Sequence, residues 1–221
     1  MPKRRGTSDM NFGFLLFPDV EELDFLGPWE FIGLWSRYFG GPEQRILVSQ
    51  TGQVVPCAKG LKVVPDCHFD DCPPLDYLLV PGGQGTRKEV HNGRLLAFVQ
   101  QQAHVCRQVL SVCTGAFLLQ AAGLLAGKKA TTHWRSLGRL RQCPDVLVAE
   151  ERWVRDGHIW TAAGVSAGID LVLALIADQA GEAVAGKVQL AAEYYPSLKR
   201  YGDAHLAPEA PAYSMDSSHG S

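Results

Sequence analysis

A chain of 221 residues with 46 % hydrophobic and 20 % charged residues has the make-up of an ordinary globular protein with room for a sizeable core. Its formal net charge of −2 leaves no electrostatic footprint for nucleic acid or an anionic membrane as partner. The apolar runs near Phe12 and Leu171 are too short or too interrupted to span a bilayer, and no apolar stretch with a cleavage site follows Lys3-Arg4-Arg5, so neither membrane insertion nor secretion is expected.

In chain order, residues 1–10 are polar and are expected to form a loose tail. Gly13-Phe14-Leu15-Leu16-Phe17 is apolar on both faces and ends at Pro18, which predicts a strand buried in a parallel sheet. Leu23 to Tyr38 has helical spacing interrupted by Gly27-Pro28. Because proline suits a first helical turn, the helix proper is expected to begin near Pro28, with Asp24 just before it. Arg45–Ser49 reads as a second strand, followed by a small β excursion through Val54–Val64. Tyr77–Val80 is another buried strand, closed by Pro81-Gly82-Gly83-Gln84-Gly85. A helix is expected over 87–105, a strand over 108–112 and a helix over 114–125 ended by Gly127. Residues 130–134 read as a short extended piece and 135–141 as one or two helical turns. Asp156-Gly157 marks a hairpin between Val154 and Ile159. Two closing helices follow, 166–180 with Ser166 as its N-cap, and 182–195. Composition then turns to Pro, Ser, Gly and His, which predicts disorder over 201–221.

The alternation of strands and helices, with no repeat or linker, predicts one α/β domain over 11–200: a mostly parallel sheet between helical layers. Ligands of such sheets sit at the C-terminal ends of the strands, and three segments fall there together. Cys113 follows the central strand at a strand-to-helix turn, where helix N–H groups favour a thiolate, so it is expected to ionise readily and serve as nucleophile. A buried structural thiol is the competing reading. Asp24, among Leu23, Phe25 and Leu26, is expected to have a pKa raised by desolvation, which suits proton transfer, although a helix cap is the simpler role. The apolar residues beside it suggest an apolar substrate group. Gly83 and Gln84, in the glycine-rich turn, are expected to present N–H groups to a developing anion near Cys113. His133 reads as a wall of the site and not as its base. Cys57, Cys67, His68 and Cys72 lack the spacing of a zinc centre. All six cysteines, which include Cys106 and Cys143, are expected as free thiols of a cytoplasmic protein.

In combination these segments resemble the ThiJ/PfpI superfamily over about residues 12–195. The resemblance rests on Leu23-Asp24-Phe25-Leu26-Gly27-Pro28, Val80-Pro81-Gly82-Gly83, Ser111-Val112-Cys113-Thr114-Gly115, Ala130-Thr131-Thr132-His133-Trp134 and Ala167-Gly168-Ile169-Asp170. It implies a flavodoxin-like three-layer sandwich with a cysteine nucleophile elbow. Within the superfamily the pattern is similar to the bacterial isocyanide hydratases. That likeness implies Cys113 as nucleophile, Asp24 as acid/base, Thr114 as accessory residue, no metal or organic cofactor, a small-molecule substrate and a homodimer. Thr114 stands where protease-like members have histidine, and Asp24 where glyoxalase-like members usually have glutamate. A thiol-based redox sensor and a glyoxalase-like hydratase of small carbonyls are the alternatives. The superfamily's cysteine motif also occurs in the sensor half of AraC-type regulators, whose DNA-binding domain this chain is too short to hold.

Overall fold

The computed structural model describes residues 10–197 and 199–214. The apolar runs become the centre of a sheet. The first half of the chain supplies β1 (Asn11–Leu16), α1 (Glu22–Phe39), β2 (Gln44–Ser49), β3 (Val55–Pro56), β4 (Lys62–Val63), β5 (Cys67–His68) and β6 (Tyr77–Val80). Next come α2 (Thr86–Glu89), α3 (Gly93–Val105), β7 (Gln108–Val112) and α4 (Gly115–Ala121). The last part holds β8 (Lys129–Ala130), α5 (Leu137–Leu140), β9 (Leu147–Val148), β10 (Trp153–Asp156), β11 (Ile159–Ala162), α6 (Ala167–Ala180) and α7 (Glu182–Ala191).

Seven strands form the main sheet in the order β10-β11-β7-β6-β1-β2-β5, all pairs parallel except the β10–β11 hairpin. From β1 the chain moves outward to β2, whereas from β6 it moves to β7, away from β1. Right-handed crossovers in opposite directions place α1 and α3 on opposite faces. Accordingly α1, α6 and α7 pack on one another, and α4 packs with α2 and α3. This is the flavodoxin-like sandwich. Reversal of direction between β1 and β6 opens a crevice at the C-terminal ends of these strands. Every residue of β6 and β11 is buried, as is all of β1 after Asn11. Each fully buried Leu, Val or Phe contributes about 1.5–3 kcal/mol against exposure, so the strands that carry the site are also the most firmly held. No helix among the described residues is long and apolar enough to cross a membrane.

Several expected boundaries shift for identifiable reasons. Helix α1 starts at Glu22 and runs through Pro28, so Asp24 sits in its first turn and not before it. The missing N–H of Pro28 costs the bond to the carbonyl four residues back, and the ring instead packs on Gly168, whose Cβ would lie 3.0 Å from Pro28 Cγ. The helix expected over 87–105 divides, because Asn92 Oδ1 accepts from Leu95 N and starts α3 afresh. The helix expected over 114–125 stops at Ala121, ahead of Gly123 at φ +74°. Ser166 makes no capping bond; its hydroxyl accepts from Arg152 instead, at 3.0 Å. Met10, placed with the N-terminal tail by composition, is wholly buried, while residues 1–9 lie outside the described residues. Of the segment 201–221, where loss of order was expected, residues up to 214 are described: Pro211 is buried and Ala212 N donates to Glu150 Oε1 at 2.9 Å.

Candidate active site

Strand β7 ends in register with β11, Val112 opposite Ala162, and the next residue turns sharply. Cys113 has φ +55°, a left-handed conformation that costs a non-glycine residue about 1–3 kcal/mol. The surroundings hold it there from both sides. Its N–H is shared between Ala162 O (3.1 Å) and Ala163 O (2.9 Å), and its carbonyl accepts from Thr132 Oγ1 at 2.7 Å. Only glycine fits at position 115, where a Cβ would stand 2.2 Å from Val80 O. The result is a sharp strand–cysteine–helix elbow with a largely buried sulfur, the residue being 7 % exposed.

Asp24 comes from the other side of the sheet reversal, on the first turn of α1, and is entirely buried. Gly82 N donates to its Oδ2 at 2.8 Å, while Oδ1 is sealed from solvent without a nitrogen or oxygen partner. The Cys113 thiol is the side chain that interacts with this carboxyl. Burial pushes the Asp24 pKa up to about 8, against the opposing pull of the Gly82 N–H. Burial likewise pushes the Cys113 thiol up to about 12, and the charge of Asp24 adds to it. The backbone N–H groups of Thr114 and Val165 pull the thiol the other way. The expected sign of the helix-start effect is therefore right, but desolvation outweighs it, and the resting sulfur is a thiol that ionises with difficulty. Carboxyl and thiol form a coupled acid pair in which burial makes each group hold its proton more tightly than it would in water.

Thr114 Oγ1 accepts from Gly83 N at 3.0 Å and lies 3.1 Å from Thr86 Oγ1. It also interacts with the Cys113 sulfur, favouring the ionised form. Thr86 is 1 % exposed. When it donates to Thr114 Oγ1, the single Thr114 proton is left for the sulfur or for Gly83 O. Because Thr114 Oγ1 takes the Gly83 N–H, that group is not free for an anion at Cys113, as its position in the turn had suggested, while Gln84 lies on the wall of the cleft over the sulfur. The donors at the sulfur are the N–H groups of Thr114 and Val165.

A cleft of about 300 Å³ opens over the sulfur, with Glu21, Gly83, Gln84, Arg87, His133 and Arg135 on its walls. Gln84 is held by Arg87, and Glu21 by Lys59. His133 Nδ1 accepts from Arg135 N at 3.2 Å and so caps its own short turn. Burial lowers its pKa, so the ring is neutral near neutral pH and stands as a wall. The apolar neighbours of Asp24 do not line this cleft: Phe25 is in the core, and Leu23 and Leu26 are 41 % and 39 % exposed on the outside of α1. The mouth over Cys113 is polar. Among the described residues, no group of three or more His, Cys, Asp or Glu side chains is arranged to hold a metal ion, and all six cysteines are free thiols.

Sequence reasoning missed Thr86, Thr132 and Val165. Thr86 directly follows the glycine-rich turn, where a small hydroxyl residue is a weak signal. Val165 gives none: its role comes from its backbone at φ +47°, which a β-branched residue rarely adopts.

The sequence pattern of the DJ-1/PfpI family matches residues 11–178. Over 189 residues the chain is 40 % identical to the isonitrile hydratase of Pseudomonas putida, a match covering 85 % of this chain and 80 % of that one. It is 31 % identical over 186 residues to the HTH-type transcriptional regulator GbdR of Pseudomonas aeruginosa, covering 83 % of this chain but 50 % of the regulator. Among solved structures, a THiJ/PfpI family protein from Pseudomonas syringae superposes with a TM-score of 0.82 at 32 % identity, covering 96 % of this chain and 86 % of that one. DJ-1beta of Drosophila melanogaster shares the fold, with a TM-score of 0.73 at 17 % identity over 85 % of this chain and all (100 %) of that one.

Proposed function

We propose that this chain, which belongs to the DJ-1/PfpI family, is a cysteine-dependent hydratase that converts an isocyanide to the N-substituted formamide. The observation that carries the reading is the sealed Asp24 carboxyl against the Cys113 thiol, with Thr114 and not histidine as the next residue. The 40 % identity to an isonitrile hydratase supports it.

The chemistry follows from that pair. The Asp24 carboxylate takes the thiol proton, and the sulfur adds to the terminal carbon of R–N≡C. Asp24 returns the proton to that carbon, giving the thioimidate R–N=CH–S–Cys113. Water then adds, its oxygen to carbon and one proton to nitrogen by way of Asp24. The adduct R–NH–CH(OH)–S–Cys113 collapses as the C–S bond breaks. The hydroxyl proton passes to sulfur, and R–NH–CHO leaves. One water is consumed, no electrons are exchanged, and no cofactor is needed. A raised Asp24 pKa suits a group that must both take and return a proton near neutral pH, and covalent addition splits one hard hydration into two easier steps. Thr114 steadies the sulfur as its charge develops. Phenyl isocyanide incubated with the protein is expected to yield formanilide by chromatography. No formanilide, or the same yield from Cys113→Ala, sinks the proposal.

A second reading, a thiol-based regulatory module, has one finding in its favour: the similarity to the regulator GbdR, half of whose length this chain spans. Reversible oxidation of Cys113 at low peroxide with no isocyanide turnover would support it. The hydratase reading includes a homodimer, which sedimentation analysis tests.

A further inference from the structure

A second cavity, of about 420 Å³, adjoins the cleft over Cys113. His133 and Val165 belong to both, so the two spaces meet across these residues. Their linings differ. The cleft over the sulfur is polar, whereas the adjoining chamber has Trp134, Val165, Pro211 and Tyr213 on its walls. Its one arginine, Arg152, is committed elsewhere: Nε donates to Asp170 at 2.8 Å and a terminal nitrogen to Ser166 Oγ at 3.0 Å. One side of the chamber comes from the segment beyond the last helix, through Ala204, His205, Ala210, Pro211 and Tyr213. That segment is anchored by buried Pro211 and by the bond from Ala212 N to Glu150, and Tyr213 packs half-buried against the core. Tyr213 is also near enough to Cys113 to sense its charge: burial raises the phenol pKa most, and the sulfur adds to it.

We propose that residues 204–214 form the outer wall of a pocket beside Cys113 that receives the substituent on the isocyanide nitrogen. This rests on the hydratase reading and assigns a chain segment to the part of the site that holds the substituent. The isocyano carbon is small and needs only the polar cleft. The group on nitrogen then lies toward His133 and Val165, where the Trp134, Pro211 and Tyr213 side chains replace water. A methyl substituent leaves this chamber to solvent and gains nothing from it.

Three variants test the wall: Tyr213→Ala, Tyr213→Phe, and a chain ending at Asp203, each checked for folding by thermal melting. The readout is the ratio of kcat/KM for phenyl isocyanide to that for methyl isocyanide. The ratio is expected to fall about tenfold or more in Tyr213→Ala and in the shortened chain, the scale on which apolar pockets discriminate. Tyr213→Phe, which keeps the ring, is expected to keep the ratio. An unchanged ratio in both Tyr213→Ala and the shortened chain overturns the proposal. Formanilide binding by calorimetry separates it from the hydratase reading, since binding needs no turnover. Formanilide affinity that drops about tenfold in the same two variants, in a protein that hydrates neither isocyanide, sustains the pocket and overturns the hydratase. No formanilide binding by the unaltered chain overturns the pocket.

Discussion

Two groups of cysteines sit in this molecule under similar desolvation but in different company. At the sheet edge, Cys67 of β5 and Cys72 flank a turn closed by Asp71 N to His68 O at 3.3 Å, and the two thiols interact with each other. Burial pushes Cys72 and Cys106 up to about 12, the value that Cys113 reaches at the centre of the sheet. Resting acidity therefore does not tell the elbow from the edge. The neighbours do. Cys72 has another thiol and the Pro73 carbonyl, which its sulfur approaches to 3.4 Å. Cys113 has a buried carboxyl that interacts with it and N–H donors that favour its charge, so its proton has a place to go and the charge left behind has something to hold it. Reactivity in this fold is a property of the partner, not of the sulfur.

The sharpest break of that comparison is a direct exchange of losses. Cys113→Ala is expected to lower kcat/KM for isocyanide hydration by on the order of 10⁴-fold or more. Cys72→Ser is expected to stay within about twofold of the unaltered protein, and formanilide production measures both. Equal losses would dissolve the distinction.

Asp24→Asn removes the proton acceptor and keeps a group that can accept from Gly82 N. A loss of about 10²- to 10⁴-fold in kcat is expected. In the unaltered protein the rate should rise with pH and level off above about 8, as Asp24 becomes able to take the thiol proton, and Asp24→Asn should lose that limb. Stability runs the other way. The folded pKa of about 8 lies above the 3.8 of a free aspartate side chain, so the native state binds the extra proton between them. The stabilisation is fully present below the lower value and is lost as pH rises through the upper one. Asp24→Asn should therefore melt higher than the unaltered protein, by about 5 °C or more at pH 9 and less at pH 6. Calorimetric melts at the two pH values check it; a variant less stable at pH 9 would show that the carboxylate is not a burden to the fold.

Thr114→Val tests the remaining difference, the donor beside the sulfur. A loss of about tenfold in kcat with little change in KM is expected. Thr86→Val, one hydroxyl further away, should give a smaller loss of the same kind.

Much of this was legible in the sequence, for a physical reason. Strands buried on both faces are largely apolar, so β1, β6 and, despite Ser111, β7 announce themselves, and the residue after each is placed by topology alone. That is enough to bring Asp24, the glycine turn and Cys113 to one edge. What was not legible depends on direction and not on type. Leu23 and Phe25 are both apolar beside Asp24, yet one faces solvent and the other the core; only helical phase decides, and the misplaced start of α1 at Pro28 obscured it. The donor at Val165 is a backbone group set by a rare φ. The order of residues 204–214 was hidden because their composition is that of a linker, while their anchors, Glu150 and the chamber, lie far away in the chain.

Gly82 sets the tolerance of the whole assembly. A Cβ there would lie 2.5 Å from Thr114 N, 2.7 Å from Thr114 Oγ1 and 2.9 Å from Asp24 Oδ2. Real contacts of this kind essentially never fall under 3.0 Å, so a single methyl group would drive the acid and the elbow apart by about half an ångström, which is the full positional allowance of a working catalytic constellation. The missing side chain is thus a spacer of zero thickness. It fixes how closely two segments from opposite sides of the sheet reversal are clamped, much as a shim fixes the gap between machined parts.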